Sequence, residues 1–502
     1  MQAIGTVIST QEGPNSSEFW FVLHDGEGTP IRTGQFIQLN SKEGLLIGRV
    51  EDIMTSNKYF ERADSVSEFQ KSGKPLMEQF PVDRWEYLVA HATLLGSFND
   101  NMHKRVSFPP SPGTKVSKID ENILFDFLGL DKEKGLSVGQ VEFHDLEAKL
   151  NMTKLFQKHC AILAQTGFGK SFLTSVIIEE LLDRSLAYGR PAVIVVDPHG
   201  EYGGFANDAN YITKTKVFNK KNIGIATRSL SERMIADFQP SITDIAKREL
   251  GKIIKSMRSS KKVYDMRDLI EAVDASEMSE KTKDPLVSWL SELDDIRLFG
   301  LEDSPNIDEL AKDGQLTILD LSDFITKKDK QIIVNYFATK LFNSRRENKI
   351  PPFILIMEEA HQFAPETERR SAAISKGIIE TIAREGRKFN SCLVLISQRP
   401  VQLSTTALSQ CNSNIILRVS NPYDLDHIKR SCEGVSDYIM KMLPGLKVGQ
   451  ALITGEVVNY PLLVSIRNRK SVKSEKGIKF EDELVRFQKN NLNKREDLET
   501  FM

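Results

Sequence analysis

Short apolar runs separated by Gly, Asn, Asp and Pro make up the chain to about residue 95. Examples are AIGTVI, FWFVL, GQFIQL, LLIGRVEDI and YLVAHATLLG. Strands of this length and spacing are typical of a small β-barrel or sandwich. The polar stretch at 55–80 predicts a long excursion or short helices. The run FPPSPGTKV at 108–116 predicts the exit from this domain, because proline removes backbone donors and fixes φ.

From about residue 159 the pattern changes to short, wholly apolar runs that alternate with helical segments. Such runs are typical of a parallel sheet covered by helices on both faces. The charged segment 228–312 predicts a helical subdomain inserted between strands, and an edge hairpin is expected at 450–455 and 460–466. Strands of the parallel sheet are predicted at 159–164, 192–197, 316–321, 353–358, 392–397 and 414–419.

A glycine-rich turn, AQTGFGKSF at 164–172, follows the first strand of this sheet and precedes an apolar helix. Gly167 and Gly169 allow backbone N–H groups to converge on phosphate oxygens, and the helix directs its positive end at the same anion. Lys170 would neutralise the β- and γ-phosphates, and Ser171 would coordinate Mg²⁺. This is a Walker A pattern in which Ala164 replaces the usual first glycine. The alternative is a glycine-rich turn that arose by chance. The predicted nucleotide contacts here are Thr166, Gly167, Phe168, Gly169, Lys170, Ser171 and Phe172.

Two carboxylates end the apolar run FILIMEEAHQF, at the edge where parallel sheets bind ligands. In a Walker B interpretation Glu358 holds Mg²⁺ and Glu359 polarises the attacking water. Aspartate is commoner at the first of these positions. The alternative is an acidic helix N-terminus, which accounts for one glutamate better than for two.

Polar residues also follow two other strands of the sheet. Asp197 ends the run AVIVVD, with His199 and Glu201 close behind it in the sequence DPHGEY. These groups are candidates for contact with the metal or the water, although an Asx-type turn is the plain alternative. Gln398 follows the run CLVLIS and is a candidate sensor of the γ-phosphate.

The segment IIETIAREGRKF carries Arg384 and Arg387 three residues apart, on one helical face. Phosphoryl transfer needs positive charge on the γ-phosphate, and another subunit often supplies it as arginine. The alternative is a pair of surface arginines matched by Glu380 and Glu385.

Composition sets further limits. The net charge is −2, which does not exclude a nucleic-acid partner because a ring can concentrate basic groups in its channel. The sequence has no secretory signal pattern and no run of roughly 18 apolar residues, so a cytoplasmic protein is expected. A disulfide framework or zinc site is not expected, since the four cysteines form no CxxC pair: Cys160, Cys392, Cys411 and Cys432.

The chain resembles the HerA group of the HerA/FtsK P-loop ATPases in six motifs that occur in order: AQTGFGKS, DPHGEY, ILIMEEAH, IAREGRKF, ISQRP and VGQALITGEVVNYPLLVSI. Ala164 and the Glu358–Glu359 pair are expected in that group. The resemblance implies an α/β protein: a RecA-like P-loop ATPase core with an N-terminal small β-barrel and a helical subdomain insertion. The predicted domains are a barrel at 1–116, a core at 117–227 and 313–467, a helical subdomain at 228–312, and a C-terminal tail or brace at 468–502.

The resemblance also implies a homohexameric ring that uses ATP and Mg²⁺ to pull double-stranded DNA through its channel, as a translocase or helicase. Sites would lie between subunits, with Arg387 as the finger that enters the neighbouring site and Arg384 as its support. Further nucleotide contacts are implied for Lys158, where arginine is usual, and for Ser465 and Ile466.

Archaeal members of this group act in end resection with a NurA-type nuclease, and bacterial relatives pair with nuclease or sirtuin-like effectors in phage defence. The barrel is the expected docking surface in both settings, and the sequence does not choose between them. A nucleotide-gated scaffold that assembles such an effector stays open as an alternative. A DNA pump of the conjugation or chromosome-segregation type is a third, although those motors usually carry membrane spans. Basic segments at 255–262 and 345–346 are candidate DNA contacts, but such segments are more often solvated faces.

Overall fold

The computed structural model describes residues 3–9, 13–24, 31–57, 67, 71, 86–99, 102–260, 263–366, 373–474 and 481–488. The chain forms two compact units. The first comprises Met1–Asn151, Gly434–Gly445 and Gln450–Ile466, and the second comprises Met152–Glu433, Leu446–Gly449 and Arg467–Met502. These units do not test the four domain ranges predicted from the sequence, which stay a prediction. None of the described helices is long and apolar enough to cross a membrane.

Seven strands of the first unit form one antiparallel sheet. They are β1 (Ala3–Ile8), β2 (Glu18–Leu23), β3 (Phe36–Ser41), β4 (Gly44–Asn57), β5 (Glu86–Asn99), β6 (Met102–Lys104) and β7 (Lys115–Lys118). Their order is β2-β1-β7-β3-β4-β5-β6, and an additional pairing of β2 with β5 closes six of them into a barrel. The predicted N-terminal β-barrel is therefore confirmed.

The barrel core is built from the inward-facing residues of these alternating strands, with Phe19, Phe21 and Ile37 wholly buried. Gly5 is required beside them, because a Cβ there would overlap the Phe21 ring. The expectation that 108–116 leads out of the barrel is wrong: β7 begins at Lys115 and lies between β1 and β3. The predicted excursion at 55–80 lies mostly outside the described residues, since only its first residues continue β4.

The first unit also holds helix α1 (Glu121–Leu128), helix α13 (Asp437–Met442) and four more strands: β8 (Leu136–Val141), β9 (Glu147–Leu150), β19 (Gln450–Gly455) and β20 (Leu462–Ile466). These strands are antiparallel in the order β19-β20-β8-β9. The predicted hairpin of β19 and β20 is present, but β20 also pairs with β8 and is not an edge strand. Sequence analysis missed β8 and β9, whose short mixed runs carry no clear strand pattern.

A parallel sheet forms the centre of the second unit. Its strands are β10 (Cys160–Leu163), β11 (Ala192–Asp197), β12 (Thr215–Phe218), β15 (Leu316–Asp320), β16 (Phe353–Met357), β17 (Ser391–Ser397) and β18 (Ser413–Ile416). They are ordered β12-β15-β11-β16-β17-β10-β18, and each pairing is parallel. All six predicted strands of this sheet are present, and β12 is an additional edge strand.

Helices of the second unit are α2 (Met152–Phe156), α3 (Lys170–Asp183), α9 (Lys327–Arg346), α10 (Lys376–Glu385), α11 (Thr405–Leu408) and α12 (Pro422–Ser431). The segment 228–312 is helical as predicted, with α4 (Glu232–Phe238), α5 (Asp244–Ser260), α6 (Met266–Asp274), α7 (Glu280–Asp294) and α8 (Ile307–Leu310). The short strands β13 (Ile225–Ala226) and β14 (Phe299–Gly300) pair in parallel near the two ends of this segment.

Candidate active site

The phosphate loop lies between β10 and α3. Gly167 and Gly169 have φ of 83° and 90°, in the left-handed region that favours glycine. No heavy atom lies within 4 Å of where a Cβ of Gly167 would stand, so the loop has open space in front of it. Gly169 is the N-cap of α3 and supplies no side-chain cap, which leaves the first-turn N–H groups for an anion.

Polar side chains from three strands surround this loop. Lys170 is buried, at 8% exposure, and its charge acts on both Glu358 and Glu359. The Thr166 hydroxyl donates a hydrogen bond to the side-chain oxygen of Gln398, at the end of β17. The predicted loop, acidic pair and sensor are therefore adjacent, because β16, β17 and β10 are consecutive in a parallel sheet.

The first glutamate is held by a residue that sequence analysis did not single out. Glu358 accepts a hydrogen bond from the hydroxyl of Tyr202, which is fully buried. Burial raises the pKa of Glu358 to about 8, and the charges of Glu201 and Glu359 act in the same direction. Lys170 and the Tyr202 hydroxyl oppose this rise. The site thus holds more carboxylate than its own cation neutralises, which suits a divalent metal.

Glu359 has the features of a base. Its φ is 49°, and its Oε2 is buried with no hydrogen-bond donor among the residues that the structure describes. Burial raises its pKa. His361 Nδ1 lies 3.3 Å from that oxygen and 3.2 Å from Ser397 Oγ. Burial, together with nearby positive charges, lowers the pKa of His361 to about 4, so the imidazole is neutral at pH 7.

Asp197 adopts the turn geometry that was the alternative to a direct role. Its Oδ1 accepts hydrogen bonds from the N–H groups of His199 (3.3 Å), Gly200 (2.8 Å) and Glu201 (3.1 Å), and its Oδ2 accepts one from Tyr202 N (3.0 Å). Asp197 thereby folds the loop that delivers Glu201 to the Ser171 hydroxyl, which donates a hydrogen bond to its carboxylate. His199 is exposed.

The two arginines lie at the other edge of the sheet. Arg384, in α10, and Arg387, in the turn after it, are both exposed and precede β17. Because β17 is parallel to β10, the start of β17 is at the opposite edge from the phosphate loop. Arg384 Nη1 lies 3.8 Å from Glu380 Oε2. Arg387 forms no ion pair with any of the described residues.

A buried histidine fixes this arginine segment to the first strand. His159 Nδ1 accepts a hydrogen bond from Leu393 N at 3.0 Å, which leaves Nε2 to donate to Ala383 O, also at 3.0 Å. Burial lowers the pKa of His159 to about 4, so these bonds are made by the neutral ring. Lys158 is at the same edge and is not brought to the phosphate loop of its own chain.

The other predicted residues take various positions. Phe168 is half-buried and has the Arg418 guanidinium 5.0 Å from its ring centroid, a contact missed from the sequence. Phe172 lies in the first turn of α3. Ser465 and Ile466 are in β20 of the other compact unit, where Ser465 donates a hydrogen bond to Glu142.

The candidate DNA-binding segments are partly engaged in structure. Arg258 donates hydrogen bonds to the carbonyl oxygens of Arg228 and Leu230, and residues 261–262 lie outside the described part of the chain. Arg345 donates to the carbonyl oxygens of Phe389 and Ile350 and so ties α9 to its neighbours. Arg258 and Arg345 are therefore held by backbone carbonyl groups of their own chain.

Comparison with known proteins gives the family. A family model described as "Helicase HerA, central domain" matches residues 136–341. The DNA double-strand break repair helicase HerA of Pyrococcus furiosus is 26% identical over 89% of this chain and 90% of its own length. The probable DNA double-strand break repair helicase HerA of Methanocaldococcus jannaschii is 29% identical over 76% of this chain and 85% of its own. These matches support a HerA-type helicase of the HerA/FtsK superfamily.

Solved structures agree on the fold. VirB4 of Thermoanaerobacter pseudethanolicus has a TM-score of 0.53 at 14% identity, covering 68% of this chain and 98% of that one. At such identity the likeness shows the fold alone, a P-loop ATPase core. As a HerA-type protein of the HerA/FtsK superfamily, the chain is an ATP-hydrolysing enzyme of the helicase and translocase class.

Replacing Tyr202 with phenylalanine should lower kcat about tenfold with little change in KM, because Glu358 loses a buried hydrogen bond. That hydrogen bond lowers the pKa of Glu358, so its loss should also move the acidic limb of the pH–rate profile to higher pH. Steady-state ATPase assays across pH measure both effects. Tyr211→Phe is the matched control, because the Tyr211 hydroxyl donates its hydrogen bond to Asp183, at 3.1 Å, and not to the Glu358–Glu359 pair. Equal behaviour of the two variants would contradict the role of Tyr202.

Proposed function

We propose that this HerA-family chain assembles as a six-membered ring that hydrolyses ATP between subunits and thereby moves double-stranded DNA through its channel. The observation that carries the proposal is the separation of its charges. Lys170 and the acidic pair are at one edge of the sheet, whereas Arg387 is exposed at the opposite edge. Each chain therefore supplies Lys170 and the acidic pair to one phosphoryl-transfer site and Arg387 to a different one.

The residues at the loop fit ATP with Mg²⁺. The glycines leave room for phosphate oxygens, Lys170 supplies a buried cation, and Thr166–Phe172 would line the nucleotide. Ser171 and Glu358 would hold Mg²⁺. Glu201, beside Ser171, would accept hydrogen bonds from water molecules bound to the metal. When bound, the metal neutralises charge on the β- and γ-phosphates.

Glu359 is the proposed base. The water oxygen attacks the γ-phosphorus, the bond from that phosphorus to the bridging oxygen breaks, and Glu359 accepts the proton of the water. Its buried Oε2, which has no donor within the described part of the chain, is suited to accept that proton. Gln398 would contact the γ-phosphate. Its hydrogen bond with Thr166 would couple the departure of the γ-phosphate to the conformation of the phosphate loop.

Arg387 is proposed to act in trans, with Arg384 as support. Strand β17 has 7 residues, so roughly 20 Å separates its two ends, more than an arginine side chain can span. Arg387 can therefore reach only the γ-phosphate of a neighbouring subunit. Lys158 lies two residues before the adjacent strand β10, at the same edge, so any nucleotide contact it makes is with the neighbour as well. The proposed nucleotide contacts of Ser465 and Ile466 rest on the family resemblance.

The proposed substrate is DNA because the relatives are named DNA double-strand break repair helicases. The closed barrel is the proposed docking surface for a partner, either a NurA-type nuclease in end resection or a nuclease or sirtuin-like effector in phage defence. A scaffold that assembles an effector without DNA movement would use the same ring and the same barrel. Effector assembly without hydrolysis would favour that scaffold.

Two substitutions separate binding from hydrolysis. Lys170→Ala should abolish ATPase activity and DNA translocation, because the phosphates lose their buried cation. Glu359→Gln should bind ATP but hydrolyse it at least about a hundredfold more slowly, since an amide cannot accept the proton. Nucleotide binding, ATPase rate and strand displacement measure these outcomes. Normal translocation by the Lys170→Ala protein would contradict the proposal.

Mixing two inactive variants tests the shared site. Arg387→Ala should lose about a thousandfold in ATPase rate while keeping an intact phosphate loop. Mixed with Lys170→Ala, it should recover part of the activity, because some interfaces then combine a normal loop with a normal arginine. Lys388→Ala, an exposed neighbour, is the control and should behave as wild type. No recovery at any mixing ratio, with mixed rings shown to form, would place Arg387 outside the site.

DNA dependence is the third test. ATPase activity should rise with double-stranded DNA, and DNA affinity should fall steeply as salt increases from 50 to 200 mM, because phosphate contacts release counterions. Titrations of labelled duplex at several salt concentrations measure this. A flat salt response would contradict a DNA channel lined by basic groups.

A further inference from the structure

Residues 467–474, which follow β20, form an extended segment that we call the C-terminal strap. Its residues 468–474 fall within the predicted C-terminal tail or brace, whereas Arg467 ends the predicted core. In the structure the strap lies on the ATPase unit of its own chain, against α3 and against the loop 198–208. Residues 475–480 and 489–502 lie outside the described residues, so the tail or brace beyond the strap stays a prediction.

The first half of the strap is anchored on a buried carboxylate. The side chain of Glu179, in α3, is 0% exposed and accepts hydrogen bonds from Arg467 Nη1 (2.8 Å), Lys470 N (2.8 Å), Ser471 N (2.8 Å) and Ser471 Oγ (2.6 Å). Burial alone would raise the pKa of Glu179, but these hydrogen bonds outweigh it and lower the pKa. A buried charge so fully paired fixes the strap to the helix that begins with the phosphate loop.

The second half of the strap holds the loop that follows Asp197. Ser474 Oγ donates to Gly200 O at 2.7 Å, and Val472 N donates to Asp208 Oδ2 at 2.9 Å. Gly204 is required beneath it, because a Cβ there would overlap the Val472 carbonyl oxygen and lie 2.8 Å from Ser474 N.

This loop is the one that supplies Glu201 to Ser171 and Tyr202 to Glu358. The strap is therefore bonded both to the helix of the phosphate loop and to the loop that carries groups to the proposed metal site. Two hydrogen bonds of α3 complete the connection: Ser171 donates to Glu201 at the start of the helix, and Glu179 accepts from the strap about two turns later.

We propose that the C-terminal strap is a positioning element for ATP hydrolysis, which holds the loop 198–208 so that Glu201 and Tyr202 stay at the metal side of the site. This rests on the proposed roles of Ser171, Glu201 and Glu358. Ser474 and Gly204 are the positioning residues that act on the loop, and Glu179 is the anchor.

The test uses full-length variants that alter the strap–loop contact. Ser474→Ala removes the hydrogen bond to Gly200, and Gly204→Ala forces the strap away from the loop. Both should lower kcat about three- to tenfold and raise the Mg²⁺ concentration needed for half-maximal ATPase activity. Ser474→Thr keeps the hydroxyl and should retain most activity. The matched control is Val472→Ser, because the Val472 side chain is 50% exposed and contacts the loop through its backbone.

A second readout does not depend on activity. Backbone amides of residues 199–202 should exchange with solvent faster in nucleotide-free Ser474→Ala and Gly204→Ala than in wild type or Val472→Ser. A double-mutant cycle completes the test: Ser474→Ala should add little to Glu201→Gln if both act on the same group.

The outcomes separate the two proposals. Wild-type kcat, Mg²⁺ dependence and amide exchange in Ser474→Ala and Gly204→Ala would overturn the positioning role, even if Lys170→Ala is inactive as the proposed function requires. Effects of Ser474→Ala that add fully to those of Glu201→Gln would also overturn it. Full ATPase activity of Lys170→Ala would instead reject the proposed function.

Discussion

The site depends on one buried carboxylate and the four backbone N–H groups that surround it. Asp197 is 0% exposed, and burial raises its pKa to about 6 although the amides of Tyr202, Glu201 and Gly200 oppose that rise. An unpaired carboxylate at this depth would be strongly unfavourable, so the chain after it must turn back to supply donors. That turn places Glu201 beside the phosphate loop and Tyr202 against Glu358. Asp197 therefore shapes the loop that carries Glu201 and Tyr202 to the candidate site.

Parallel strand direction is the second constraint. Because every strand of the ATPase sheet runs the same way, residues after strands gather at one edge and residues before strands at the other. Lys170, Glu358 and Gln398 follow strands, whereas Lys158 and Arg387 precede them. His159 holds the arginine segment to the first strand through two hydrogen bonds of a neutral ring. The proposed ring would bring one edge of each chain against the other edge of its neighbour.

Sequence patterns predicted the residues whose role is set by local structure. The glycines of the phosphate loop, the two glutamates after an apolar strand and Gln398 could all be placed because each directly follows a buried strand. The partners of these residues were not predictable in the same way. Tyr202 is 156 positions from Glu358, and its motif DPHGEY gave no sign of which side chain would turn inward. The neutral His361 beside Glu359 was likewise visible only as one letter of the motif EEAH.

The resemblance to the HerA group, the order of the motifs along the parallel strands and the side chains available at the strand ends could be read from the sequence alone, since these follow from short patterns of apolar and polar residues. The structure was needed to show that the chain after Asp197 closes a turn on its carboxylate, that β20 pairs with β8, and that the barrel takes its last strand from the end of the proline-rich run. It also decided that residues 467–474 pack on the helix of the phosphate loop. The turn at Asp197 is made by local hydrogen bonds, and the sequence offered it as one of two alternatives. The other features depend on hydrogen bonds between residues far apart in the chain, and no local pattern records which distant donor a buried acceptor will find.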